Sequence, residues 1–318
     1  MQSFILQTLP KNTLNSIKVN KTLTSVTESF SAKAQILADA LPKLRTLKDT
    51  LIVLKYGGSV IEESVYADSV LTDLAFLRHI GASVVVVHGG GKAISNKMRD
   101  AGITPKFVDG HRYTDRKTIG MVDSVLSHTI NPQIVSGLKE RSTPAASLSG
   151  KKILTAKKLV AVSQDGGQKV SLGFVGDITR VNKSPILALL KKGIVPVITP
   201  LASGSKREIL NINADLAAAR VAAELKATQL IFLSDVNGIL EDPQHIDSTI
   251  AKISQSEIQS LRNVGVIYGG MLPKVNASID ALKKGVKRVK LLNGRIAHCI
   301  LVDFFVNPKL GTEIVLNT

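Results

Sequence analysis

Residues 51–60 read LIVLKYGGSV, so four apolar residues run straight into Lys55, and Gly57 and Gly58 follow one residue later. A strand that ends this way delivers a cation and bare backbone to one point. In an open α/β sheet, ligands bind beyond the carboxyl ends of the strands. Glycine lets main chain come close to a ligand, and successive backbone N–H groups make a concavity that holds anions. Lysine beside such a nest suits a phosphate group. Taken alone, the tetrapeptide reads better as a plain Gly-Gly turn carrying a solvent-facing lysine. A second stretch changes the balance. In VVVVHGGGKAI, Gly89, Gly90 and Gly91 stand between a strand and a helix, so a helix N-terminus adds its dipole to the same kind of anion site. The spacing fits neither a Walker A loop nor a Rossmann G-x-G-x-x-G.

Other candidates are spread along the chain. GHRYTD carries Arg112, whose guanidinium can give a carboxylate two parallel donors or serve as a surface ion-pair partner. NINADLAAA carries Asn211 and Asp215, which by themselves read as a turn residue and a first-turn acid complementing a helix dipole. In LSDVNGIL, Asp235 is expected to cap the turn after its strand and contact a nucleotide rather than bind metal. GGMLPKV supplies Lys274. His88 and Met271 read as packing or turn residues.

These groups need elements to position them. Short apolar strands are expected at Leu51–Leu54, Ser83–Val87, Ile194–Ile198 and Gln229–Leu233. Helical patterns lie between them at Val65–Ile80, Ala93–Ala101, Thr118–Lys139, Pro185–Lys192 and Ala214–Leu225. Alternation of this kind predicts an open αβα sandwich with a mainly parallel central sheet covered on both faces. Lys151–Val181, with a turn at Asp165–Gly167, and the terminal GTEIVLN read as hairpin-like β. The domain reading is a flexible tail over 1–33, a kinked helix or two short ones at 34–48 around Pro42, one lobe at 49–206 and another at 207–318.

At 318 residues with 44% hydrophobic content, the chain is long and apolar enough to bury a sizeable core. No apolar run reaches the length of a membrane span. A single cysteine, Cys299, excludes an intramolecular disulfide and a cysteine-type metal cluster, and a reducing compartment fits best. The charge of +16 suits either nucleic acid or small anions. Basic residues are scattered and aromatics are only 4%, which favours small anions over a nucleic-acid platform. The one dense cluster, KKGVKRVK, reads as the exposed side of a helix followed by a turn. The tail has Glu28 as its only acid, is rich in hydroxyl residues and lacks arginine. It reads as a loose bacterial extension in a cytoplasmic protein, with a plastid transit peptide as the alternative.

Taken together and in order, KYGG, HGGGK, NINAD, LSDVNG and GGMLPKV resemble the amino acid kinase family, most closely its acetylglutamate kinases, from about Ala34 to Thr312. The resemblance implies transfer of a phosphoryl group from ATP, with Mg²⁺ bound mainly through the phosphates and no metal site of the protein's own. The acceptor is the side-chain carboxylate of N-acetyl-L-glutamate, as in arginine biosynthesis. It implies that Lys55 contacts the transferring group, Lys274 approaches from the nucleotide side and Asp215 orients both. Gly90, Gly91, Arg112 and Asn211 then receive the acyl substrate, and Gly57, Gly58, Asp235, Gly238 and Gly270 the nucleotide. The bottom-up chemistry agrees: a carboxylate with a pKa of about 4.3 is already deprotonated at neutral pH and needs no general base. Departures are SVIEE after the double glycine, HGGGK for HGGGP and GHRYTD for GLRVTD; none removes a charged catalytic group.

The resemblance also implies a homodimer or a hexamer built through the N-terminal helix, L-arginine as inhibitor at a site including His298, Asp303 and Gly311, and a PII-type signalling protein as partner. Asp303 stands where a glutamate is usual, which is expected to weaken the effector site. The rivals are kinases of the same fold acting on aspartate, glutamate, an aminoadipate derivative, carbamate or UMP. A non-catalytic regulator is the rival from another class.

Overall fold

The computed structural model describes residues 31, 35, 36, 38–108, 110–162, 169–242, 244, 245, 247–306 and 310–317. The expected tail over 1–33, apart from residue 31, lies outside these residues, as do the turn at Asp165–Gly167 and residues 307–309 of the terminal loop. Residues 47–318 form one compact unit and residues 1–46 another. Helix α1, residues 38–47, runs through Pro42 rather than splitting into two short helices.

The larger unit is built on an eight-stranded sheet. Its members are β1 (Leu51–Tyr56), β2 (Ser83–His88), β5 (Ala145–Leu148), β8 (Val195–Ile198), β11 (Gln229–Ser234), β12 (Lys252–Ser254), β13 (Arg288–Asn293) and β14 (Thr312–Val315). They lie in the order β12-β14-β13-β11-β1-β2-β8-β5, and every pairing is parallel except β13 with β14. The β-branched runs suit a sheet buried on both faces. Val53, Val85 and Val87 join one core layer, while Ile52, Leu54, Val84 and Val86 join the other.

Helices cover both faces: α2 (Gly58–Ile61), α3 (Ser64–His79), α4 (Gly91–Asp100), α5 (Arg116–Val125), α6 (Asn131–Glu140), α7 (Ser184–Lys191), α8 (Ala214–Glu224), α9 (Gln255–Asn263), α10 (Met271–Lys283) and α11 (Cys299–Phe305). The single helix expected over Thr118–Lys139 is α5 and α6 joined by a π-helical turn at Leu126–Ile130. Alanines 217, 218, 219, 222 and 223 of α8 are buried, so the helix lies close against its neighbours. Ser254 and Glu257 form a reciprocal capping box that starts α9.

The hairpin-like segment is confirmed as β6 (Leu154–Val162) against β7 (Lys169–Val181), closed into a small barrel with β9 (Leu201–Ser203) and β10 (Ile209–Asn211). A short hairpin of β3 (Phe107–Val108) and β4 (His111–Arg112) stands apart. One reading holds only in part. KKGVKRVK does contain an exposed helix end and a turn, since Lys283 ends α10 and Gly285 turns the chain at φ +99, but from Arg288 it continues as β13. Lys290 is buried there in an ion pair with Asp303. Among the described residues, no helix is long and apolar enough to cross a membrane.

Candidate active site

β1 and β2 pair in register from Leu51 with Ser83 to Tyr56 with His88, so their glycine-rich ends leave the sheet side by side. A Cβ on Gly58 would stand 3.1 Å from the backbone nitrogens of both Gly90 and Gly91. The two loops therefore meet at a distance that only glycine permits without rearrangement. Gly57 is similarly tight, against the carbonyl of Leu233.

Beside this junction stand two cations on one carboxylate. Asp215 sits in the first turn of α8, where Asn213 caps the helix by accepting from the amides of Asp215 and Leu216. The Lys55 ammonium lies 3.0 Å from Asp215 Oδ1. The Lys274 ammonium, from the first turn of α10, donates to both Asp215 oxygens at 3.1 Å. Burial works to raise the Asp215 carboxyl, but the two ammonium groups outweigh it and hold it at about 2. Burial pushes Lys274 down to about 8, with the Lys55 charge adding to the push and Asp215 opposing it. The cluster keeps a surplus positive charge in a poorly solvated place, a natural seat for a phosphoryl group.

Two cavities open from this point. One, of about 520 Å³, is lined by Gly57, Asp235, Gly238, Gly270, Met271 and Lys274 among others. The other, of about 350 Å³, is lined by Gly90, Gly91, Arg112, Asn211 and Asp215 among others. Lys55, Gly58 and Ser59 line both. Volumes of this order are usual for small-molecule sites.

In the smaller cavity Arg112 is almost wholly buried, and burial lowers its pKa. It donates to the Gly91 carbonyl at 2.7 Å and to Ser95 Oγ at 2.8 Å, and lies over the Phe107 ring. No carboxylate stands within ion-pair distance of it among the described residues, so its charge is available to an anionic ligand. Asn211 donates to Thr114 Oγ1 at 3.3 Å, and that hydroxyl donates to the Arg112 carbonyl, which ties β10 to β4.

Asp235 departs from expectation. Its carboxylate is exposed at the rim of the larger cavity and makes no capping hydrogen bond among the described residues. His88 does serve packing: its Nδ1 donates to the Gly89 carbonyl, its Nε2 accepts from Asn131, and burial holds its pKa at about 4.

The expected effector residues lie elsewhere. Asp303 is buried, 2.9 Å from Lys290. His298, at φ +55, is 2.7 Å from buried Asp73. Gly311 has φ +63 beneath the Leu291 carbonyl, and it presents Thr312, whose hydroxyl accepts from the amide of Ile239, a residue lining the larger cavity. Sequence reasoning missed Ser59, Asn213 and Phe107. Only Asn213 left a signal, as an N-cap residue ahead of an alanine-rich run.

Residues 50–293 match the model of the amino acid kinase family. The chain belongs to the amino acid kinase family. Within it, the chain is 41% identical over 288 residues to acetylglutamate kinase of Geotalea uraniireducens, covering 89% of this chain and 98% of that protein. It is 40% identical over 294 residues to acetylglutamate kinase of Aquifex aeolicus, covering 89% and 98%. The fold is also that of N-acetylglutamate synthase from Neisseria gonorrhoeae, at a TM-score of 0.78 and 24% identity over 90% of this chain and 64% of that one. Carbamate kinase of Giardia shares the fold at a TM-score of 0.57 and 16% identity, over 85% and 99%.

Proposed function

We propose that this kinase transfers the γ-phosphoryl group of ATP to the side-chain carboxylate of N-acetyl-L-glutamate, giving N-acetyl-L-glutamyl 5-phosphate, a step of amino-acid biosynthesis. The observation that carries the reading is the meeting of two cavities at Lys55, Gly58 and Ser59, beside a carboxylate that holds two lysines. The relatives named acetylglutamate kinase supply the acceptor.

In this reading Arg112 and Asn211 hold the acceptor in the smaller cavity, with Gly90 and Gly91 as its floor. The larger cavity takes the nucleotide over Gly57, Gly238 and Gly270, with Asp235 at its rim. Residues 49–206 then act mainly as the acyl lobe and 207–318 as the nucleotide lobe. The acceptor carboxylate is already ionised, so the chain's task is to place two anions in line and offset their repulsion. Lys55 and Lys274 do this through their ammonium groups, and Asp215 fixes where those groups point.

Among the described residues, no three His, Cys, Asp or Glu side chains gather as a metal cage, and Asp215 is occupied by two lysines. In this reading Mg²⁺ is carried on the nucleotide phosphates, with Asp235 exposed at the rim of the larger cavity as the residue that could approach it. When bound, Mg²⁺ supplies further charge neutralisation on the phosphates.

A homodimer or hexamer, a PII-type partner and inhibition by L-arginine extend the same reading. An arginine guanidinium seeking Asp303 has to displace Lys290, so weak inhibition is expected. The test is ADP release with ATP and Mg²⁺, comparing N-acetyl-L-glutamate with glutamate, aspartate, carbamate and UMP. Turnover with the acetylated substrate supports the reading, and turnover only with another acceptor overturns it.

A further inference from the structure

A third cavity, of about 670 Å³, shares no lining residue with the two at the active site. It lies where the end of β7 and the start of α7 face the C-terminal halves of α8 and α10. Its charged walls are Arg180, Lys183, Arg220, Lys226, Lys284 and Glu224. Two carboxylates answer these cations. Glu224 is 3.2 Å from Lys183, and Asp280 lies 2.8 Å from Lys284 and a loose 3.7 Å from Arg220. Arg180 and Lys226 have no carboxylate within ion-pair distance among the described residues.

A scatter of basic residues on a solvated face needs no ligand. Arg220 is different, because its Nε is buried and lacks a hydrogen-bond partner. Buried donors are normally satisfied, so this guanidinium, on a side chain 29% exposed at the wall of a concave cationic site, is under-satisfied where it stands and can turn to an acceptor bound there. A planar guanidinium matches the paired oxygens of a carboxylate or phosphate. The first turn of α7 points its positive end into the same groove.

We propose that this groove is a second anion site that takes a small ligand bearing two or three negative charges, either a polyphosphate or a di- or tricarboxylate. The surplus of cations over carboxylates sets that charge. Arg220 provides the oriented contact, and Arg180 and Lys226 provide the field. α8 and α10 carry Asp215 and Lys274 in their first turns, so the ligand grips the far ends of the two helices that build the phosphoryl site.

Calorimetric titration of the full chain with inorganic pyrophosphate, and separately with citrate, tests this. Saturable binding of either is expected, and the tighter probe names the ligand class. Binding should persist in Lys274→Ala, which alters the nucleotide cavity. It should weaken at least tenfold in Arg180→Gln/Lys226→Gln, a pair of exposed positions whose exchange leaves no ion pair broken. Arg220→Lys keeps the charge but loses the guanidinium, and it should weaken binding as well. Absence of saturable binding for both probes overturns the proposal. So does binding that disappears in Lys274→Ala yet survives in Arg180→Gln/Lys226→Gln.

Discussion

The Lys274 ammonium sits 3.1 Å from both oxygens of Asp215, a carboxylate that also holds Lys55 at 3.0 Å. One negative charge thus positions two positive ones, which come from the end of β1 and the start of α10. Asp215→Asn leaves both ammonium groups without their shared counter-charge, close to each other and poorly solvated. kcat should fall about 10²–10³-fold, the scale of losing a preorganised electrostatic contact. Steady-state kinetics at saturating substrates checks this, and a loss confined to KM would speak against the orienting role.

The pH profile follows from Lys274. Burial first, then Lys55, sets its pKa at about 8, so the free enzyme loses this charge as pH rises through that value. kcat/KM for ATP should decline on the alkaline side near pH 8, and Lys274→Arg should remove that limb. Asp215, held at about 2, stays ionised throughout the working range and gives no acidic limb. The stability signs differ. Lys274 is depressed below its unfolded value, so its burial penalty is relieved as pH climbs from about 8 towards its unfolded value. Asp215 contributes stability above its unfolded pKa, and that contribution is lost as pH falls towards about 2.

Arg112 donates to Gly91 and Ser95 while its charge has no acidic partner among the described residues. Arg112→Lys keeps the charge but loses the fork. KM for the acyl substrate should rise by about tenfold or more, the order of one lost charge-assisted contact, while KM for ATP stays near its original value. Separate titrations of the two substrates distinguish this from a general loss of fold.

Gly58→Ala forces a methyl group against the backbone of Gly90 and Gly91. The loops must part by a few tenths of an ångström or more, at the point where both cavities meet. Misplacement of this kind costs up to about 10²-fold in rate. The expected signature is a fall in kcat with little change in thermal midpoint.

Lys290 and Asp303 form a buried pair with side chains only 4% and 3% exposed. Lys290→Met removes the cation facing this buried carboxylate and should destabilise the fold by about 3–5 kcal/mol. The double change Lys290→Met/Asp303→Leu should recover most of that loss. Chemical denaturation of the single and double variants measures it.

Strands β1, β2, β8 and β11 and most helices were legible because their signals are local, whereas β5, β12 and β13 were not read as strands. Short apolar runs gave β1 and β2, and 3.6-residue patterns gave α3, α4, α7 and α8 to within a few residues. Lys55, Asp215 and Lys274 were legible through their motifs, and the structure brings them together. Lys290 misled because a lysine in a basic cluster reads as solvated; only the fold supplies the buried Asp303 that neutralises it. Ser59 left no signal, since its importance comes from standing where two cavities join. The π-helical turn at Leu126–Ile130 keeps helical periodicity nearly intact, so sequence pattern passes through it.

Trapping the product with hydroxylamine tests the central claim most directly, because an acyl phosphate yields a hydroxamate and an ordinary phosphate ester does not. With ATP, Mg²⁺ and N-acetyl-L-glutamate, the protein should form hydroxamate in step with ADP, and Lys55→Ala should reduce both at least about 10²-fold. ADP formed without hydroxamate, or hydroxamate formed equally well by Lys55→Ala, would contradict phosphoryl transfer to the carboxylate at this junction.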